Sequence, residues 1–262
     1  KCSAGSVERA VRAAVAAYPA WAATPWRERV ALLRRAARLI EVRVYAISAA
    51  VAVEVGKNRM EAIGEVQETA DLIDWYADRM EEADGFDRPL ADDPLPNFKS
   101  HNRSVLRPYG VWAVIAPFNF PFALAGGPLG PALIAGNTAV VKCSPETSLS
   151  GWLLVECLRD AGLPPGVINW VTGGDTTGRA LAQHPDVAGI TFTGSHAVGM
   201  QVLRASAAAT AATAAAPPLS APHQSAPWPK YPAPQIPTLA TPSPCAASPA
   251  LAASRHVRPP AR

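Results

Sequence analysis

Four short apolar runs constrain this chain more than any other feature: VWAVIA (residues 111–116), TAVVK (138–142), VINWV (167–171) and GITFT (189–193). Each is near-continuous rather than alternating, and between them lie segments long enough for helices. Strands that are apolar on both faces need cover on both faces, which is the condition of a parallel sheet clad in helices. Right-handed crossovers then give a Rossmann-like α/β unit, in which ligands sit beyond the carboxyl ends of the strands. The same stretch holds 31 residues without a charge, 111–141, long enough on its own to cross a bilayer. Pro117, Pro121, Pro128 and Pro131 break it into short elements, so no membrane span is expected.

Upstream, residues 6–84 read as helical. Val30, Leu33, Ala37, Ile40, Val44, Ile47 and Val51 step by three and four along one face, predicting a single helix that Thr24 and Pro25 open and Gly56 closes. Asn58 and Glu61 have capping-box spacing ahead of a second stripe, Met60, Ile63, Val66, Ala70, Ile73, Ala77 and Met80. Both stripes read as core. From Asp84 to His101 the chain, with Pro89, Pro94 and Pro96, reads as loop. The expected division is a helical segment and loop over 1–100, the Rossmann-like region over 101–204 and a tail over 205–262. That tail has 58 residues, 19 of them Ala and 13 Pro, without Gly, Asp or Glu, and is expected to be disordered.

Charge and cysteine usage narrow the function classes. The net charge of +3 divides into −2 over residues 1–186 (19 basic, 21 acidic) and +5 beyond Asp186, the last acidic residue. Five cations scattered without clustering make no nucleic-acid footprint, so no nucleic-acid partner is expected. Four cysteines without a CxxC pair predict reduced thiols, no zinc or other metal site, and, with no signal peptide, a cytoplasmic protein. A first residue of Lys1 rather than Met suggests a fragment.

The strand ends carry the chemistry. PFNFP follows the first strand and holds Asn119 between aromatics and prolines, where a carboxamide can face developing negative charge or satisfy a turn. Lys142 ends the second strand, as a donor to ribose or phosphate or as a lysine snorkelling at the sheet edge. TGGDTTG follows the third, and Gly173, Gly174 and Gly178 permit close backbone approach without GxGxxG spacing. Gly194 and Ser195 follow the fourth and open a helix whose free amides suit an anion.

RPYGVWAVIAPFNFP, GNTAVVK, GLPPGVINWVTGG and ITFTGSHAVG, in that order, resemble the aldehyde dehydrogenase superfamily over roughly residues 20–204. RPYGVWAVIAPFNFPFALAGGP is most similar to the pyrroline-5-carboxylate dehydrogenases, which act on glutamate semialdehyde in proline catabolism. The resemblance implies NAD(P)-dependent oxidation of a small aldehyde to a carboxylate. It makes Asn119 the oxyanion-hole asparagine, with Ala116, Pro117 and Phe118 beside the cofactor. It puts Lys142 on the adenosine ribose, Gly174 and Gly178 near the dinucleotide, and Gly194 and Ser195 on the pyrophosphate, with Gly199 ending that motif. Many members carry a glutamate three residues beyond the lysine; Pro145 stands here, leaving open whether the cofactor is NAD or NADP. Relatives form homo-oligomers through a strand near residues 100–108 and another late in the chain, and the oligomeric state here is left open.

The family's reaction needs a thiolate nucleophile and a glutamate base, both downstream of the glycine–serine turn. No glutamate follows Glu156, and the one downstream cysteine, Cys245, sits in TPSPCAASPA without the family's surrounding motif. Cys143 and Cys157 read as small buried side chains. The expectation is a truncated copy unable to turn over, with a reading-frame shift beyond Arg204 as the source of the Ala/Pro tail. The alternative is a catalytically silent dinucleotide-binding or interaction protein whose tail segment PAPQIP resembles a polyproline ligand. An unpaired sheet edge and uncovered apolar surface also predict poor solubility.

Overall fold

The computed structural model describes residues 4–94, 97 and 99–215. Cys2, Cys245, PAPQIP and the expected tail from residue 216 onward lie outside the described residues.

The helical segment comprises α1 (Ala4–Ala23), α2 (Trp26–Val42), α3 (Val44–Val55) and α4 (Arg59–Glu82). The single helix predicted across residues 25–55 is two, broken at Arg43 (φ −98°, ψ 9°). There the Arg43 N–H donates to both Leu39 O and Ile40 O, and its guanidinium turns outward to Asp160 at 2.7 Å. The β-branched Ile40, Val42 and Val44 around it favour a helix weakly. The apolar stripe survives the break: Val30, Leu33, Ala37, Ile40, Ile47 and Val51 are buried. Gly56 ends α3 in the left-handed conformation (φ 82°). Thr24 does not cap α2; its hydroxyl donates back to Ala20 O at 3.0 Å. Asn58 does cap α4, accepting the Glu61 N–H at 3.0 Å.

The stretch read as loop between Asp84 and His101 contains β1 (Asp87–Pro89), paired antiparallel with β2 (Arg103–Val105). Arg103 also ion-pairs with Asp87. Strands of three residues, mostly polar and exposed, carry no periodic signal, so only the pairing defines them.

The main sheet is parallel, in the order β5-β4-β3-β6, formed by β3 (Val111–Ile115), β4 (Thr138–Cys143), β5 (Ile168–Thr172) and β6 (Val187–Phe192). The chain leaves β3 in one direction through β4 and β5, then returns to lay β6 on the other side of β3. That reversal is a topological switch point, and it opens a crevice at the carboxyl ends of the strands. On one face Val114, Ala139, Val141 and Cys143 pack beneath α5 (Ala123–Ile134) and α6 (Ser148–Asp160), with α2 to α4 behind them. On the other face Ala113, Ile115 and Val140 meet α1 and α7 (Asp175–Ala182). Every residue of β4 is buried, whereas β6 is mostly half-buried.

α5 is uncharged and contains three glycines and two prolines in twelve residues, a poor helix former by itself. Its glycines let it lie against α4: a Cβ at Gly126 would overlap Thr69, and one at Gly130 would press on Ile73. The helical segment also holds both ends of α5. Glu65 accepts the Phe122 and Ala123 N–H groups at 2.8 and 3.2 Å, while Arg29 donates to Ile134 O at 2.8 Å. α6 is held likewise: Glu54 accepts from Leu149 N and Ser150 N, both at 2.8 Å, and Arg35 donates to Ala161 O at 2.6 Å. Carboxylates at N-termini and guanidiniums at C-termini both complement the helix dipole.

The last described helix, α8 (His196–Ala215), continues past Arg204, where the sequence suggested the tail begins. Residues 205–215 contain only Ala, Ser and Thr, and no proline occurs until Pro217, so alanine propensity carries the helix on. Among the described residues no helix is long and apolar enough to cross a membrane.

Candidate functional site

A cleft of about 800 Å³ lies at the carboxyl ends of the strands. Ala116, Pro117, Phe118 and Asn119 enter it after β3, Lys142 from β4, Gly173, Gly174 and Gly178 after β5, and Gly194 and Ser195 after β6. The residues singled out at four separate strand ends therefore line one space. Gly199 lies one turn beyond, where a Cβ would press on the Phe192 ring.

The loop carrying Asn119 is fixed from several directions. Ala116 N–H donates to Lys142 O at 3.0 Å, and Thr193 N–H to Ile115 O at 3.1 Å, tying the loops after β3 and β6 to their neighbours. At its far end Glu65 receives the Phe122 and Ala123 amides. Glu65 also pairs with Lys57 at 2.6 Å, and the Lys57 ammonium lies 3.2 Å from the Phe120 ring centroid. Asn119 is exposed, and its carboxamide has no hydrogen bond among the described residues. It does not satisfy a turn.

Lys142 is not snorkelling, because it is only 8% exposed. Its ammonium has three donors, yet the bond it makes is a long one, 3.5 Å to Cys143 O. Burial pushes its pKa down, opposed by Cys143, Asp175 and Glu146. Such a group gains from any acceptor placed beside it.

The four helices that follow the strands differ at their N-termini. Glu65 serves α5, Glu54 serves α6, and α7 carries Asp175 in its own first turn. α8 has no acidic residue there. Ser195 caps the Val198 N–H at 3.4 Å, and Gly194 lets the backbone pass the Phe192 ring, which a Cβ there would approach to 2.5 Å. The positive end of the α8 dipole thus faces the cleft without a carboxylate of its own.

The cleft lining also includes polar and aromatic residues that the sequence does not single out, among them Glu146, Asp175, Arg179 and Phe192. A lone arginine on a short helix and a phenylalanine in a strand give no local signal. Glu146 stands one residue beyond Pro145, so a carboxylate does border the cleft near Lys142, where it accepts from the Ser144 hydroxyl. Among the described residues no three His, Cys, Asp or Glu side chains gather as a metal site. Cys143 and Cys157 are buried free thiols.

A family profile described as "Aldehyde dehydrogenase family" matches residues 1–216. The chain is 38% identical over 209 residues to 1-pyrroline-5-carboxylate dehydrogenase of Staphylococcus epidermidis, covering 79% of this chain and 40% of that one. It is 42% identical over 195 residues to N-succinylglutamate 5-semialdehyde dehydrogenase 2 of Caulobacter vibrioides, covering 74% and 38%. The crystal structure of NADP-dependent glyceraldehyde-3-phosphate dehydrogenase from Bacillus halodurans, complexed with NADP, superposes with a TM-score of 0.72 at 38% identity, covering 77% of this chain and 43% of that one. The chain thus spans about 40% of the length of the curated relatives it matches.

Proposed function

We propose, from the premise that this chain belongs to the aldehyde dehydrogenase family, that its cleft binds a nicotinamide dinucleotide and presents Asn119 to an aldehyde, without completing the oxidation. The observation that carries this reading is the cradle at the switch point. An α8 N-terminus without a carboxylate, glycines on either side and an under-used Lys142 ammonium converge on one cleft. Helix amides suit a pyrophosphate, the lysine suits ribose hydroxyls, and the open face of Gly174, with nothing within 4 Å of its would-be Cβ, admits a ligand against the backbone. When bound, the dinucleotide supplies the hydride acceptor. Asn119 contributes an unengaged N–H donor for a carbonyl oxygen gaining charge, on a loop held rigid from behind.

NAD is the proposed cofactor, with NADP as the alternative. Pro145 offers no carboxylate to repel a 2′-phosphate and Arg179 adds a cation to the cleft, whereas Glu146 adds an anion. The proposed substrate is a small aldehyde of the glutamate semialdehyde type, supported by the names of the two relatives. Turnover by residues 1–262 on their own is not expected, because within them no glutamate follows Glu156 and Cys245 lies in a proline-rich setting. Titrating the purified chain with NADH and NADPH by fluorescence tests the binding; absence of saturable binding for both sinks the reading. Incubation with NAD and a panel of aldehydes tests the chemistry. Steady NADH production that Cys245→Ser abolishes would overturn the expectation of silence.

A further inference from the structure

The helical segment has a use beyond packing. Two of its carboxylates reach across the fold to the N-termini of the two helices that begin where the cleft loops end. Glu65 of α4, fully buried, receives the Phe122 and Ala123 amides directly after the loop bearing Phe118 and Asn119. Glu54 of α3 receives the Leu149 and Ser150 amides and the Ser150 hydroxyl, in the turn of helix that follows Ser144, Pro145 and Glu146. Neither α5 nor α6 has a local side-chain cap. The first contact is reinforced: Lys57 pairs with Glu65 and places its ammonium on the Phe120 ring within the loop. Ammonium, carboxylate, helix amides and loop aromatic form one continuous chain.

We infer that Glu65 and Glu54 are positioning residues for the two ends of the cleft, Glu65 with Lys57 for the Asn119 loop and Glu54 for the Ser144–Glu146 turn beside Lys142. Neither carboxylate lines the cleft. Each acts by anchoring backbone amides, so losing one loosens its own loop and leaves the other in place. The assignment of the two ends to the nicotinamide side and the adenosine side rests on the proposed dinucleotide reading.

Amide hydrogen exchange on the whole chain tests the inference without any ligand. Glu65→Gln should speed exchange at residues 118–123 and leave 146–150 protected, and Glu54→Gln should do the reverse. Phe120→Leu, which removes the ring under Lys57 but keeps the buried ion pair, should speed exchange at 118–123 more mildly and guards against a Glu65 variant that does not fold. If all three raise exchange evenly across the sheet, or none alters it, the carboxylates are general stabilisers and the inference is overturned. Binding supplies a second reading: Glu65→Gln should weaken NADH about tenfold while leaving AMP unchanged, and Glu54→Gln should weaken both. A wild-type chain that binds neither ligand ends the dinucleotide proposal, while the exchange pattern still decides this one.

Discussion

The N-termini of α5 and α6 and that of α8 all sit at the same edge of the same sheet, yet they are treated in opposite ways. α5 and α6 have their free amides taken up by Glu65 and Glu54, carried in from helices far away in the chain. α8 has no acidic residue in its first turn and opens onto the cleft. The contrast separates architecture from function at helix ends of the same chemistry. The two ends set against the helical segment each receive a carboxylate from it; of the two ends that face the cleft, α7 carries Asp175 in its own first turn and α8 alone leaves its dipole available.

The buried side of that contrast breaks most severely at Glu65. Replacing it with Ala strands the Lys57 ammonium and two amides in the interior, and should cost about 3–5 kcal/mol in a urea or guanidinium midpoint experiment. A loss under about 1 kcal/mol would mean that the pair is dispensable.

The same buried side should respond to alkali. Cys143 ends β4 beneath Gly151 of α6, and burial pushes its thiol from 9.0 up to about 11, against smaller opposing effects of Trp170 and Lys142. A raised folded pKa means stability that is complete below pH 9.0 and lost as pH climbs through about 11. Lys142, whose pKa burial lowers, runs the other way: its penalty is carried at neutral pH and relieved as pH rises toward 10.5. Between about pH 8 and about pH 10.5 the wild type should lose roughly 2 kcal/mol more than Cys143→Ala, at about 1.4 kcal/mol per pH unit above the thiol's ordinary value. Parallel stability profiles for the two proteins would refute this.

The open side is probed by adding what it lacks. Ser195→Asp retains a capping side chain for α8 but places a negative charge at its entrance. NADH affinity should fall about tenfold, equivalent to roughly 1.4 kcal/mol, with thermal stability unchanged. Undiminished affinity would show that the α8 terminus does not meet the phosphates. Asn58→Ala gives the smallest effect: an exposed, local cap on α4 is removed at a cost of about 1 kcal/mol. A cost equal to that of Glu65→Ala would erase the distinction between local and long-range capping.

What could be read in the sequence follows the range of the interaction. The four strands, the Asn58 cap and the Gly56 stop arise from neighbours within a few residues, and composition alone locates them. Asn119, Lys142, Gly194 and Ser195 were visible because strand ends point to a common edge once the sheet is parallel. Glu65 and Glu54 look like ordinary polar positions of amphipathic helices, since their partners lie 57 and 95 residues away. The break at Arg43 was hidden because the apolar stripe runs through it unchanged. β1 escaped because a three-residue strand has too few side chains to display a period, whereas β2 lies within residues 100–108, where the family resemblance implied a strand. Beyond Arg204 a proline-free alanine stretch adjoins the proline-rich sequence, and the shared richness in alanine hides the end of α8.

α5 has a consequence for how the molecule assembles. Its glycines and prolines deny it the means to form early, and two of its internal N–H groups are replaced by proline rings. It must wait for a docking surface, and α4, translated before it, provides both the groove and the anchoring carboxylate. The expectation is a folding nucleus that includes the α4–α5 contact: a destabilising substitution in α4 should appear as a slower refolding limb in a chevron plot, and an effect confined to the unfolding limb would exclude it.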